Sequence, residues 1–212
     1  MTDSVADKPG RGKARASLLD AALAVIRAKG YAATSVDDLC HAAGVTKGAF
    51  FHHFPSKDHL AAAAAEHWSE TTAALFAAAA YHAHEDPLQR VLGYIDFRLA
   101  LIRGALPEFT CLVGTMVQEA YLSSGDIRAA CEASIVGHAA QLEPDIAAAM
   151  HRHGCVGWSA RSLALHTQAV LQGAFILAKA TGDPDAARDS IRHLRRYLEL
   201  LFSQPRTKGS PS

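Results

Sequence analysis

The sequence of 212 residues is short of aromatics, at 7%, while half of it is apolar and alanine dominates that half, a composition that favours close-packed helices over sheets. It has no apolar run long enough for a bilayer. Its longest uncharged stretch, residues 162–178, is interrupted by His166, Thr167, Gln168 and Gln172 and reads as a buried or interface helix, so no membrane partner is expected. The first 17 residues are polar and lack the apolar segment of a secretory signal, which points to a cytoplasmic protein. Cys40, Cys111, Cys131 and Cys155 show no C-x-x-C spacing, and reduced thiols are expected. Surplus charge is also missing: 21 Lys and Arg balance 21 Asp and Glu, with 12 His. Taken alone, that balance argues against a nucleic-acid partner.

Glycine and proline divide the chain into helical segments, and no strand-like alternation runs for any useful length. The expectation is an all-α protein of about nine helices. Residues 1–10, with Pro9 and Gly10, read as a flexible N-terminal arm. Leu18, Leu19, Ala22, Val25 and Ile26 recur at three- and four-residue spacing in a first helix ended by Gly30. Thr34 or Ser35 caps the next, with an acid three residues on as in a capping box. Gly44 closes it, Thr46 suits the cap of a helix running to Phe54, and Pro55 ends that one. From Lys57 to about His82 runs a long alanine-rich helix. Later starts are marked by Asp86-Pro87, Leu106-Pro107-Glu108, Gly125-Asp126, Ser159 and Asp183-Pro184, and residues 204–212 read as a flexible tail.

Two short helices joined by a tight turn of about four residues, over 36–54, form a helix-turn-helix whose second helix can enter the major groove of DNA. Leu39, Ala42, Ala43, Val45, Phe50 and Phe54 are its expected buried side. Thr46, Lys47, Gly48, Ala49, Phe51, His52 and His53 are left on the exposed end and flank of the second helix. Lys47 and Thr46 can donate to a base edge or a phosphate, and the Ala49 methyl can meet a thymine methyl. Gly48 permits close backbone approach. Thr34, Ser35, His53 and Lys57 lie at helix ends or flanks where phosphates run and would set register.

The run TSVDDLCHAAGVTKGAFFHHFPSKDHL resembles the DNA-binding signature of the tetracycline-repressor (TetR) family, with the spacing from Gly30 to Lys57 unbroken. The resemblance implies a three-helix DNA-binding head over 11–55, a hinge helix from about Ser56, and a larger helical body over 56–203 that dimerises and binds a small effector. The family often carries Tyr at the position of Phe51, whose ring has no hydroxyl to offer a phosphate. Region by region, the charge balance then changes meaning. Residues 1–60 hold eight cations (Lys8, Arg11, Lys13, Arg15, Arg27, Lys29, Lys47 and Lys57) against six anions. Lys13 and Arg15, at the start of the first helix, join the DNA-binding set. So slight a footprint calls for two heads acting together on a double-stranded, two-fold operator.

A homodimer follows from that symmetry. The last two helices are the expected interface, through Leu163, Val170, Gly173, Ala174 and Leu177 on one and Ile191, Leu194, Leu198 and Leu201 on the other. The effector pocket is expected between the hinge and that interface, lined by Phe76, Tyr94, Phe97, Phe109, Cys111, Met116 and Tyr121. The absence of a dense charge cluster there favours a neutral or weakly polar small molecule. The segment Cys111-Leu112-Val113-Gly114 also resembles one found in a TetR branch with electrophile-responsive repressors, which makes Cys111 either a thiol sensor or an inert buried thiol. His151, His153 and Cys155, and His82, His84, Glu85 and Asp86, carry metal-ligand types but read as solvated helix ends, so no metal or cofactor is expected. No Ser-His-Asp arrangement, phosphate-cradling loop or paired carboxylates stand out, and no catalytic residue is assigned. The expected function is a ligand-responsive repressor that releases its operator when a small molecule binds. The competing reading is a helical small-molecule-binding protein or enzyme with a vestigial DNA-binding head.

Overall fold

The computed structural model describes residues 9–203. Among them are eleven α-helices, one of a single turn, a 3₁₀ turn and no strand. The helices are α1 (Pro9–Lys29), α2 (Val36–Ala43), α3 (Lys47–His53), α4 (Lys57–Ala77), α5 (Pro87–Ala100), α6 (Leu106–Phe109), α7 (Leu112–Ala120), α8 (Gly125–Ala140), α9 (Glu143–His153), α10 (Ala160–Thr181) and α11 (Pro184–Ser203). The expected arm and tail lie outside the described residues except for Pro9 and Gly10, which open α1. A proline suits that first position because its missing N–H has no intrahelical partner there.

The count exceeds nine because two expected helices are each broken once. Thr110 takes an extended conformation and is fully buried, so the chain restarts at Cys111. Leu142 is buried in a turn, and Pro144 in the first turn of α9 cannot continue the preceding helix. Helix α4 stops at Ala77 rather than near His82. The chain turns there and buries Tyr81 among Tyr94 and Phe97, with ring centroids 6.0 and 6.1 Å away.

The described residues form two compact units, 9–71 with 111–134 and 72–110 with 135–203. In the first, α1, α2 and α3 close around Leu18, Leu19, Ala22, Ile26, Leu39, Phe50 and Phe54. Ala42, expected on the buried side, is exposed, and Ala43 and Val45 are half-buried, because one turn of so short a helix suffices to bury Leu39 and Cys40. Helix α7 packs on α1 in the same unit and buries Leu112, Val113, Met116 and Ala120.

In the second unit, α5, α9, α10 and α11 surround a core that includes Tyr94, Ile95, Ile146, Leu171, Ile191, Leu194 and Leu198. This corrects the expected dimer surface. Ile191, Leu194 and Leu198 are 0–3% exposed, and Leu163 and Ala174 are also buried in the protomer's own core. Val170 and Leu201 pack against it as well. The leucine stripe of α11 repeats at helical spacing because it faces α5 and α10 of the same chain. Of the expected set only Leu177 is exposed, at 51%, with Gly173 half-buried. The large apolar side chains that α10 and α11 leave outside are Leu165, Ile176 and Leu177 on the first and Tyr197 and Leu200 on the second, the last 65% exposed.

Candidate nucleic-acid interface and effector cavity

The α2–α3 region is organised by local chemistry. Ser35 caps α2: its hydroxyl accepts from Asp38 N, and the Asp38 carboxylate accepts from Ser35 N at 2.7 Å, completing the capping box. Gly44 ends α2 at φ +64°, a conformation that glycine adopts at least cost. Thr46 then caps α3 by accepting from Ala49 N at 3.2 Å. Thr34, the alternative cap and an expected DNA contact, is neither. It is buried, and its hydroxyl donates to Gly30 O at 2.6 Å across the turn between α1 and α2. Ser35 takes the capping role because it stands one residue nearer the helix and faces outward.

Thr46, Lys47 and Gly48 are exposed together at the start of α3, beside half-buried Ala49 and exposed Phe51 and His52. Phe51 is 54% exposed although its edge meets the buried Phe50 ring at 5.1 Å. His53 is half-buried, and its ring lies 5.1 Å from that of His52. Lys13 and Arg15 are exposed on α1, with the Arg15 guanidinium 5.5 Å from the Phe54 ring centroid. Lys47 is held by Asp37 at 2.9 Å, an exposed pair that raises the ammonium pKa and that solvent screens. Lys29 pairs with Asp38 at 2.6 Å, and that bond together with those from Ser35 holds the Asp38 carboxyl well below the usual carboxylate range.

Lys57, expected on phosphates, is engaged in the fold instead. Its ammonium donates to Tyr31 O at 3.1 Å and Thr34 O at 2.9 Å and lies 4.2 Å from the Tyr31 ring centroid. Tyr31 in turn donates to Asp58 at 2.5 Å, and burial, then Asp58, pushes its phenol pKa upward. Sequence reasoning also missed Glu119. From α7 its carboxylate accepts from Ala32 N at 2.6 Å and sits where a side chain at Gly30 would stand. Nothing in the local pattern of α7 signals that contact, since its partner is 87 residues away in the chain.

The residues expected to line one effector pocket are divided between the two units. Cys111 caps α7, with Gly114 N donating to its Sγ at 3.4 Å, while Met116 is fully buried and Tyr121 is 52% exposed, all in the first unit. Phe109 faces Phe175 in the second. Phe76 and Tyr94 do line a cavity of about 310 Å³, and Phe97 stands edge-on to Phe76 at 5.2 Å. Tyr81, His82, His138, Gln141, Leu142 and Asp145 complete most of that cavity. The Tyr94 hydroxyl, buried there, receives Arg98 Nε at 2.9 Å and Gln168 Nε2 at 3.0 Å and meets His138 Nε2 at 3.0 Å. Burial, and secondarily the Arg98 charge, push the His138 pKa down to about 3. The first unit also carries an open alanine-lined groove between α4 and α8, bordered by Glu66, Glu70 and Asp126. No described helix is long and apolar enough to cross a membrane.

Residues 18–64 match the family described as "Bacterial regulatory proteins, tetR family", and residues 87–193, half of the chain, match "Transcriptional regulator LmrA/YxaF-like, C-terminal domain". The transcriptional regulator AcuR of Cereibacter sphaeroides is 34% identical over 138 residues, 60% of this chain and 62% of AcuR, so the chain spans about three fifths of that relative. A TetR-family regulator from Agrobacterium tumefaciens superimposes with a TM-score of 0.78 at 22% identity, over 90% of this chain and 98% of that one. A regulatory protein TetR from Rhodobacter sphaeroides does so with a TM-score of 0.76 at 26% identity, over 87% and 98%. Both carry the same helical fold, a helix-turn-helix head followed by a helical body. The two family matches cover the α2–α3 region and, around the cavity, helices α5, α8 and α9, and the chain belongs to the TetR family of transcriptional regulators.

Proposed function

We propose that the protein is a dimeric, ligand-responsive repressor that binds a two-fold operator through α3 and releases it when a small molecule fills the cavity beside Tyr94. The observation that carries the reading is the exposed start of α3. Thr46, Lys47 and Gly48 stand clear of the core there, while Phe50 and Phe54 anchor the helix from behind. Thr46 and Lys47 read base edges, Gly48 and Ala49 let the backbone approach, and Lys13, Arg15, Ser35, Phe51, His52 and His53 flank them toward the phosphates. The head over 11–55 thus serves DNA, the body over 56–203 serves effector and partner, and the protein works in the cytoplasm where its operator lies.

The exposed apolar side chains of α10 and α11, Leu165, Ile176, Leu177, Tyr197 and Leu200, are the surface for the second copy, since large apolar groups left in solvent on two adjoining helices favour association. Leu200→Glu should convert the dimer to monomer in sedimentation, and an unchanged dimer would move the interface elsewhere. The deciding experiment is a mobility-shift assay on DNA flanking the protein's own gene. A specific shift is expected at low salt, weakened by about 1–3 kcal/mol in Lys47→Ala if Lys47 reads a guanine. No specific shift from the intact dimer would overturn the reading. Cys111 is proposed as a thiol that tunes release, and Cys111→Ser should then blunt induction by electrophiles while leaving operator affinity unchanged.

A further inference from the structure

We propose that the cavity of the second unit takes a small, flat, uncharged molecule whose carbonyl oxygen, or an equivalent acceptor, is held by the Nδ1–H of His138. This names the ligand class for the effector site proposed above and rests on that reading.

Shape comes first. Phe76, Tyr81, Tyr94 and His138 stand around the cavity as rings, with Phe76 4.7 Å from His138 and 5.4 Å from Tyr94, centroid to centroid. Rings in contact at these spacings form a continuous aromatic wall, on which a planar apolar body can pack. A volume of about 310 Å³ lies at the small end of ligand pockets.

The hydrogen bonding of Tyr94 then settles which histidine nitrogen carries the proton. Arg98 Nε and Gln168 Nε2 both donate to the phenol oxygen, which uses its acceptor capacity. Its one hydrogen is left for His138 Nε2, at 3.0 Å. A neutral imidazole that accepts at Nε2 carries its own proton at Nδ1. Among the described residues the bond to Tyr94 is the ring's only hydrogen bond, so Nδ1–H is a donor without a protein acceptor on a residue that lines the cavity. Burial, and secondarily Arg98, keep the ring neutral, with its pKa down to about 3.

Charge excludes the alternatives. Asp145 lines the same cavity, already answered by Arg90 Nε at 2.7 Å, so an anionic ligand would share the space with a carboxylate. A cationic ligand finds no unspent counter-charge, because Asp145, the one carboxylate among the residues lining the cavity, is already paired with Arg90. An ionised group buried without a counter-charge is costly, whereas a neutral acceptor satisfies the waiting donor.

Isothermal titration calorimetry of the full chain with acetophenone, benzoate, benzylammonium and ethylbenzene tests this without DNA, so a failed operator shift leaves it readable. Acetophenone should bind at least tenfold more tightly than either charged probe. His138→Phe should weaken acetophenone about tenfold and ethylbenzene less than twofold. Benzoate or benzylammonium binding as tightly as the ketone, equal losses for ketone and hydrocarbon, or no heat from any probe would each overturn the proposal. Long-range proton–nitrogen correlation spectra of the free protein give an independent reading. They should show His138 neutral and protonated at Nδ1 from pH 7 to 5, and an Nε2-protonated ring would overturn the assignment even if the variant proved unstable.

Discussion

The α2–α3 region and the Tyr94 centre are both polar constructions next to buried rings, yet they are assembled over different distances along the chain. Ser35 meets Asp38 and Thr46 meets Ala49, each three residues away. The Tyr94 hydroxyl gathers Arg98, His138 and Gln168 from 4, 44 and 74 positions away. The ion pairs follow suit: Lys47 finds Asp37 on the adjoining helix, while Arg90 and Asp145 are 55 residues apart. A surface that satisfies itself locally can keep its shape while it exchanges water for DNA. A centre held by long-range bonds holds only while the helices around it keep their places, which suits a site whose filling must be felt by the body.

The sharpest way to break this comparison is to remove the ring beneath α3. Phe50→Ala should cost the head about 3–5 kcal/mol, seen as an early thermal transition with loss of operator binding, while calorimetric binding at the cavity persists. Joint loss of both functions would show that the two units do not act separately. Next is pH. His138 is neutral when folded, with its pKa lowered from 6.5 to about 3, so an unfolded chain binds the extra proton between those values. Stability from this group is fully present above pH 6.5 and is lost as pH falls toward 3, at about 1.4 kcal/mol per pH unit within the window. Urea melts at pH 7, 6 and 5 should show that slope, and His138→Phe should remove its share of it.

Smaller effects separate cap from contact in the head. Ser35→Ala should cost about 1 kcal/mol in stability through the lost cap, read from the thermal midpoint. Asp37→Asn should leave the midpoint nearly unchanged and free Lys47. Affinity for nonspecific DNA should then rise, and the salt dependence should steepen by about one counterion. An unaltered salt slope would show that Lys47 reaches no phosphate even when released.

How much was legible in advance follows the same division. Gly30, Gly44, Thr46 and the Asp86-Pro87 start were readable because a cap or a positive φ angle is decided by the residue and its near neighbours. Spacing cannot choose between two neighbouring hydroxyls, however, and Thr34 went inside while Ser35 capped. It also shows that α11 has an apolar stripe without saying which neighbour covers it, and the stripe of Ile191, Leu194 and Leu198 turned out to serve its own core. Phe76 and Tyr94 were picked out as cavity residues by type alone, whereas nothing in the local pattern singles out His138, Gln141 or Asp145.

The sequence by itself determined the all-helical class, the position of the helix-turn-helix and the outward-facing start of α3. Each depends on interactions spanning a few residues, such as caps, glycine turns and the spacing of apolar side chains. Only the tertiary structure decided that Lys57 ties down the α1–α2 connection, that Glu119 from α7 accepts from Ala32, and that Tyr94 leaves a histidine with a proton to offer. Those outcomes depend on which helices come to lie side by side. Packing of whole faces chooses those neighbours, and no short stretch of residues encodes that choice.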